Sequence, residues 1–168
     1  SRYHRFIFSR FFASFKLNIS ILLINHTITN EVHKMRYLIA EDNKQDRGLL
    51  EKILSGYGEY DVAGNGQQAF QMFETAHQEG NPYELIFLDI MMPEIEGDQV
   101  LVMIREWEKI NLKDNKPVRV VMATSKTDAE TIFASYDQNC QHFIMKPYVK
   151  FDIEEVMKKM GFKLSEKQ

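Results

Sequence analysis

From Met35 onward, two hydrophobic periods alternate along the chain. Leu85-Ile86-Phe87-Leu88 is an unbroken apolar run closed by Asp89, which is how a strand buried on both faces reads. Arg36 to Ala40, Val118 to Ala123 and His142 to Met145 are similar short runs, and Tyr60 to Ala63 is a weaker one. Between them apolar residues recur at helical spacing: Leu49, Leu50, Ile53, Leu54 and Tyr57, then Ala69, Phe70, Met72, Phe73 and Ala76, then Val100, Leu101, Ile104 and Trp107. A fourth helix is expected from Asp128 through Ile132, Phe133 and Tyr136, and a last one through Phe151, Ile153, Val156, Met157 and Met160. Gly56 with Gly58, Gly80-Asn81-Pro82 and Gly161 supply helix stops, and Lys113-Asp114-Asn115-Lys116 a solvated turn. Strands separated by helices predict an α/β fold, a parallel sheet with right-handed crossovers and helices on both faces.

Residues 1–34 follow neither period. They interleave Phe6, Phe8, Phe11, Phe12 and Phe15 with Arg2, Arg5, Arg10 and Lys16, and the first methionine is Met35. We expect a non-core N-terminal extension there, read either as a basic, aromatic membrane-surface or targeting segment or as upstream sequence that is not native protein. Lys16, Asn18 and Asn25 interrupt it too often for a spanning helix, which needs about 20 apolar residues. The domain is expected over 35–162, with a short tail at 163–168.

Charge sharpens this division. Residues 1–34 carry five Lys/Arg and one acid, a balance of +4, so the net −3 of the whole leaves −7 on the remainder. An acidic body excludes a basic nucleic-acid footprint in the folded part. One cysteine, Cys140, excludes an internal disulfide and a cysteine-based zinc site, and points to a reducing, cytoplasmic setting with the thiol packed rather than reactive. The five histidines lack the close pairing of a metal site, and none is assigned as a ligand.

The candidate chemistry lies where strands end. Alone, Asp89 would most simply cap its strand. The first strand, however, ends in Glu41-Asp42, the fourth in Thr124-Ser125 and the fifth in Lys146. With strand order 2-1-3-4-5 the first and third strands are neighbours at the switch point of the sheet, where ligands bind. Three carboxylates gathered there raise one another's pKa and call for a cation. Oxygen ligands and a small ligand count suit Mg²⁺. Three carboxylates, Mg²⁺ and the Lys146 ammonium sum to zero, a pocket able to admit a phosphoryl group. Asp89 is then a carboxylate nucleophile, with Lys146 and the Thr124 hydroxyl neutralising the transferring oxygens.

Glu41-Asp42, Asp89-Ile90-Met91-Met92-Pro93 with Gly97, Asn65-Gly66, Thr124 and Lys146-Pro147 together make Met35 to about Phe162 resemble a response-regulator receiver domain of two-component signalling, of the chemotaxis type. The resemblance implies a flavodoxin-like, doubly wound, five-stranded parallel sheet in the order 2-1-3-4-5. It implies Mg²⁺ held by Glu41, Asp42, Asp89 and the Met91 carbonyl, phosphoryl chemistry by Asp89, Thr124 and Lys146, and a conformational switch by Thr124 and Phe143. It further implies a histidine kinase or histidine phosphotransfer protein as donor, docking near the first helix and the loops around Asp89. A downstream target would read the face around Phe143.

The expected function is a stand-alone phospho-acceptor module, monomeric or weakly dimerising on phosphorylation. It would not be an enzyme in the turnover sense, although it would assist its own phosphorylation and dephosphorylation, and its core would bind neither nucleic acid nor membrane. The alternatives are the C-terminal receiver of a hybrid histidine kinase, and a binding module that works without phosphorylation. Two positions depart from the commonest pattern: Glu41 stands where Asp is frequent, and Met91 cannot hydrogen-bond a hydrolytic water, so a long-lived phosphoryl-aspartate is expected. Haloacid-dehalogenase-type phosphatases want a second Asp where Met91 stands, and a flavin site wants a phosphate loop that Glu41-Asp42 would repel.

Overall fold

The computed structural model describes residues 35–112, 116–125 and 140–164. Strands β1 (Met35–Ala40), β2 (Gly58–Ala63), β3 (Leu85–Asp89), β4 (Arg119–Thr124) and β5 (His142–Met145) alternate with helices α1 (Lys44–Leu54), α2 (Gly66–Gln78), α3 (Gly97–Asn111) and α4 (Lys150–Lys159). All neighbouring strands pair in parallel, in the order β2-β1-β3-β4-β5. The expected sheet, its order and its direction are therefore those observed. The expected helix over Asp128 to Tyr136, the Lys113–Asn115 part of the turn and residues 1–34 lie outside the described residues.

Alternation along the strands divides the core in two. Leu38, Ala40, Ile86, Leu88, Val120 and Met122 pack with Phe73 of α2 and Leu101 and Ile104 of α3. Tyr37, Ile39, Leu85, Phe87, Val121, Ala123 and Ile144 pack on the other face with Leu50 and Leu54 of α1 and Ile153 and Met157 of α4. A strand residue and its successor thus belong to different halves of the interior. Trp107 belongs to the α2/α3 half, edge-on to Phe73 at 5.3 Å.

Local signals explain most helix boundaries. Asn43 caps α1, its side chain accepting from Gln45 and Asp46 N–H, and Asn65 caps α2 by accepting from Gln68 N–H. α2 and α4 end in the same device: Gly80 (φ 72°) and Gly161 (φ 79°) take the left-handed conformation, and the following N–H groups of Asn81 and Phe162 return to Ala76 and Met157 carbonyls. Some boundaries differ from expectation. Gly58 opens β2 instead of ending a helix, because β1 runs so close that a Cβ there would stand 1.9 Å from the Met35 carbonyl oxygen. Thr124 and Asp89 are the last residues of their strands rather than the first of the loops, so the sheet's own hydrogen bonding fixes their backbones.

Candidate phosphoryl-acceptor site

Alternation also decides which polar residues meet. Asp89 continues the side of Phe87, Glu41 the side of Ile39 and Lys146 the side of Ile144, so all three reach the α1/α4 side of the sheet's carboxyl edge. Lys146 Nζ stands 2.7 Å from Asp89 Oδ2 and 2.8 Å from Glu41 Oε2, and 3.7 Å from Asp46 Oδ2 on the first turn of α1. Glu41 is fully buried and Asp89 is 3% exposed. Asp42, next in the alternation, is exposed. One carboxylate oxygen each from Glu41, Asp42 and Asp89 nevertheless lie within 4.8 Å of one another.

The loop that follows Asp89 is braced from below. Met91 N–H donates to Asp89 Oδ1 at 3.2 Å, Ile90 N–H to the Ala123 carbonyl and Gly97 N–H to the Ile90 carbonyl. At Gly97 a Cβ would stand 2.0 Å from the Asp89 carbonyl oxygen, so only glycine lets α3 begin this close to the end of β3. Glu94, held at φ 70°, accepts a hydrogen bond from Asn65 Nδ2, which ties the loop to the α2 cap.

Thr124 and Phe143 fall on the opposite, α2/α3 side, in register with Met145 and Met122 respectively. Thr124 is buried, its hydroxyl donating to the Ser125 carbonyl at 3.3 Å, and Phe143 is half-buried against the α2/α3 core. The five side chains expected to do the chemistry therefore share one edge: Lys146 contacts both Glu41 and Asp89, Asp42 is beside them and Thr124 is one strand away. Three contributors were not anticipated. Tyr148 Oη donates to Glu41 Oε2 at 2.7 Å, Asn43 N–H donates to Glu41 Oε1 at 3.2 Å, and Asp46 supports Lys146. Strand parity carried on from Lys146 would have placed Tyr148 on the right side, but nothing in the sequence shows that its hydroxyl meets Glu41.

The electrostatics follow from burial. Desolvation pushes the Glu41 carboxyl up from its ordinary value, against hydrogen bonds from Lys146 and Tyr148 that lower it, while the charge of Asp89 adds to the rise. Burial acts to lower Lys146, but hydrogen bonds and charge from Asp89 and Glu41 outweigh it and leave the ammonium raised. The Tyr148 phenol is pushed far above its usual range by burial and by Glu41, so it stays a proton donor. Burial lifts the Cys140 thiol to about 11, which keeps it protonated and fits a packing role.

The donor set fits a small hard cation. The Glu41, Asp42 and Asp89 carboxylates would supply oxygen ligands of the kind that Mg²⁺ takes. Among the described residues no other group of His, Cys, Asp or Glu gathers in this way. No helix among them is long and apolar enough to cross a membrane.

A doubly wound sheet whose carboxyl edge holds three carboxylates, two of them bridged by a lysine just past the last strand, has the architecture of signalling receiver domains. Residues 37–159 match the response regulator receiver domain model, and the chain belongs to that family, a component of two-component phosphorelays. It is 34% identical over 128 residues to hybrid signal transduction histidine kinase L of Dictyostelium discoideum, covering 75% of this chain and 7% of that protein. Transcriptional regulatory protein SrrA of Staphylococcus aureus is 30% identical, over 66% of this chain and 41% of that protein. The chain thus spans less than half the length of these curated relatives. Among solved structures it resembles the co-crystal of the Saccharomyces cerevisiae phosphotransfer protein Ypd1 and the receiver domain of its downstream response regulator Ssk1, with TM-score 0.63 and 26% identity, covering 74% of this chain and 88% of the matched one. Chemotaxis protein CheY4 of Vibrio cholerae, at 16% identity and TM-score 0.61, shares the fold.

Proposed function

We propose that this chain accepts a phosphoryl group on Asp89 from a phosphohistidine donor, in a Mg²⁺-dependent reaction, and signals through a conformational switch. The observation that carries this reading is Lys146 Nζ lying within 2.9 Å of carboxylate oxygens from the ends of two neighbouring strands, Glu41 just past β1 and Asp89 closing β3. An Asp89 oxygen forms the bond to phosphorus as the nitrogen–phosphorus bond of the donor breaks, and the departing imidazole keeps the electron pair and takes up a proton. Glu41, Asp42, Asp89 and the Met91 carbonyl would hold Mg²⁺, which when bound supplies positive charge opposite the phosphoryl oxygens. Lys146 meets another of those oxygens and Thr124 swings its hydroxyl to a third. That movement vacates space on the α2/α3 side which Phe143 then fills, so phosphorylation shifts the population between two packings of one aromatic ring.

A histidine phosphotransfer protein or kinase would dock around the acceptor. Leu49 on α1, Met91, Met145, Val149 and Phe151 are exposed apolar side chains on the elements bordering the site, and the yeast co-crystal pairs a receiver of this fold with such a partner. We place the protein in the cytoplasm as a non-enzymatic, free-standing receiver spanning 35–162. A second reading, a receiver carried by a hybrid histidine kinase, is favoured by the Dictyostelium relatives, two of which are named hybrid kinases. Both readings use one site, and immunoblotting of source cells separates them: a band near 19.8 kDa or smaller supports the free-standing form, and a much larger band the hybrid.

Incubation of the full chain with acetyl phosphate, followed by intact mass, tests the chemistry. A gain of one phosphoryl group that requires Mg²⁺ and is absent in Asp89→Ala is expected. No gain in the wild type would leave a phosphorylation-independent binding module as the better account.

A further inference from the structure

We propose that Tyr148 is a positioning residue for phosphoryl transfer: its hydroxyl keeps the Glu41 carboxylate in place, so that Lys146 can leave Glu41 for the incoming phosphoryl group. The inference rests on the phospho-acceptor reading of Asp89. Glu41 is fully buried, and its donors are Lys146 Nζ, which reaches both oxygens, Asn43 N–H on Oε1 and Tyr148 Oη on Oε2. Lys146 divides its three protons among Glu41, Asp89 and, more distantly, Asp46. Once Asp89 carries a phosphoryl group, the strongest acceptors in reach of Nζ are the new oxygens. The ammonium must then slacken its hold on Glu41.

A buried carboxylate that loses its cation and keeps no other donor is heavily penalised. Mg²⁺ held at the site would offset part of that charge, and Tyr148 Oη and Asn43 N–H are the protein donors that stay on the Glu41 oxygens. The Tyr148 ring is wedged in the α1/α4 half of the core and only 6% exposed, so the hydroxyl is held by packing rather than by the groups that react. Phenylalanine would fill the same space without the hydroxyl. The ring, 5.5 Å from Lys146 Nζ, stays in that variant, so Tyr148→Phe removes a single oxygen.

The experiment compares wild type, Tyr148→Phe, Glu41→Gln and the double variant as full chains, with acetyl phosphate as donor. At saturating Mg²⁺ the phosphorylation rate constant of Tyr148→Phe is expected to fall about tenfold, equivalent to ~1.4 kcal/mol in the barrier. The Mg²⁺ dissociation constant is read by calorimetry beside it, so that a rate lost at saturating Mg²⁺ is not a loss of bound metal. In the Glu41→Gln background there is no charge to hold, and Tyr148→Phe should cost no further rate. Urea unfolding of the four metal-free proteins should show the same coupling, with the double variant less destabilised than the sum of the single ones.

An unchanged rate in Tyr148→Phe, beside a wild type that is phosphorylated, overturns the role of Tyr148 and leaves the phospho-acceptor reading standing. Equal slowing in the Glu41→Gln background overturns it too, as a packing effect. Additive unfolding energies overturn the contact itself. A wild type that takes no phosphoryl group overturns the reading of Asp89, and the inference with it.

Discussion

Replacing Lys146 by methionine removes the one cation shown bridging Glu41 and Asp89 while keeping most of the side chain's volume. In metal-free protein two carboxylates, 0% and 3% exposed, would then face each other with only neutral donors around them. Removing one partner of a buried ion pair costs about 3–5 kcal/mol. Lys146 is 18% exposed and Glu41 can take a proton, which reduces this to roughly 2–3 kcal/mol. At roughly 3–5 °C per kcal/mol for a domain of this size, the melting temperature in EDTA should drop by roughly 6–15 °C. Mg²⁺ restores the missing positive charge, so it should bind Lys146→Met about tenfold or more tightly than wild type and raise its melting temperature by more. Acid acts in the same direction. The Glu41 pKa is raised by burial and loses its lysine hydrogen bond in the variant, and a raised folded-state pKa means stability present at low pH and lost as pH rises through it. The deficit in EDTA should therefore shrink as pH falls from about 8 to about 6. Differential scanning calorimetry with EDTA and with Mg²⁺ measures both. An EDTA melting temperature equal to wild type, or a Mg²⁺ response no larger than wild type's, would refute the charge balance drawn for this site.

Glu41→Gln isolates the same carboxyl: since its folded pKa is raised, wild type should gain stability relative to the variant as pH falls, measured by urea unfolding at several pH values. Gly97→Ala should lose about 1–3 kcal/mol and weaken Mg²⁺ binding, because its methyl meets the Asp89 carbonyl. Gly48→Ala inside α1, where a Cβ meets nothing within 4 Å, should gain about 0.5–1 kcal/mol; equal effects at the two glycines would contradict the close approach. Met91→Asn should shorten the lifetime of the phosphoryl-aspartate severalfold, followed by intact mass after removal of donor. An unchanged or longer lifetime would show that a polar side chain two residues past the acceptor does not help water attack here.

Most of the fold could be read from the sequence because its strands are buried on both faces and carry little but apolar residues, while its helices carry one stripe. The weak strand, β2, lies at one edge of the sheet, and its exposed Glu59 and Tyr60 dilute the signal. Gly58 was misplaced because a glycine that ends a helix and one that lets two strands approach look alike in sequence. The acidic trio and Lys146 were legible because each closes an apolar run. Tyr148 and Asp46 were not, since their roles depend on the distance between α1 and the end of β5, which no local pattern encodes.

The alternation that splits the core also sorts the site's residue numbers. Glu41, Asp89, Lys146 and Tyr148 belong to the half shared with α1 and α4; Thr124 and Phe143 belong to the half shared with α2 and α3. The sheet is a partition between them, and among the described residues the two sets come together at its carboxyl rim. A group added at that rim touches both at once, while a substitution inside either half touches one. Variants that accept a phosphoryl group yet stay silent, and variants that adopt the signalling shape unasked, should therefore be found by choosing the side of the sheet before choosing the residue.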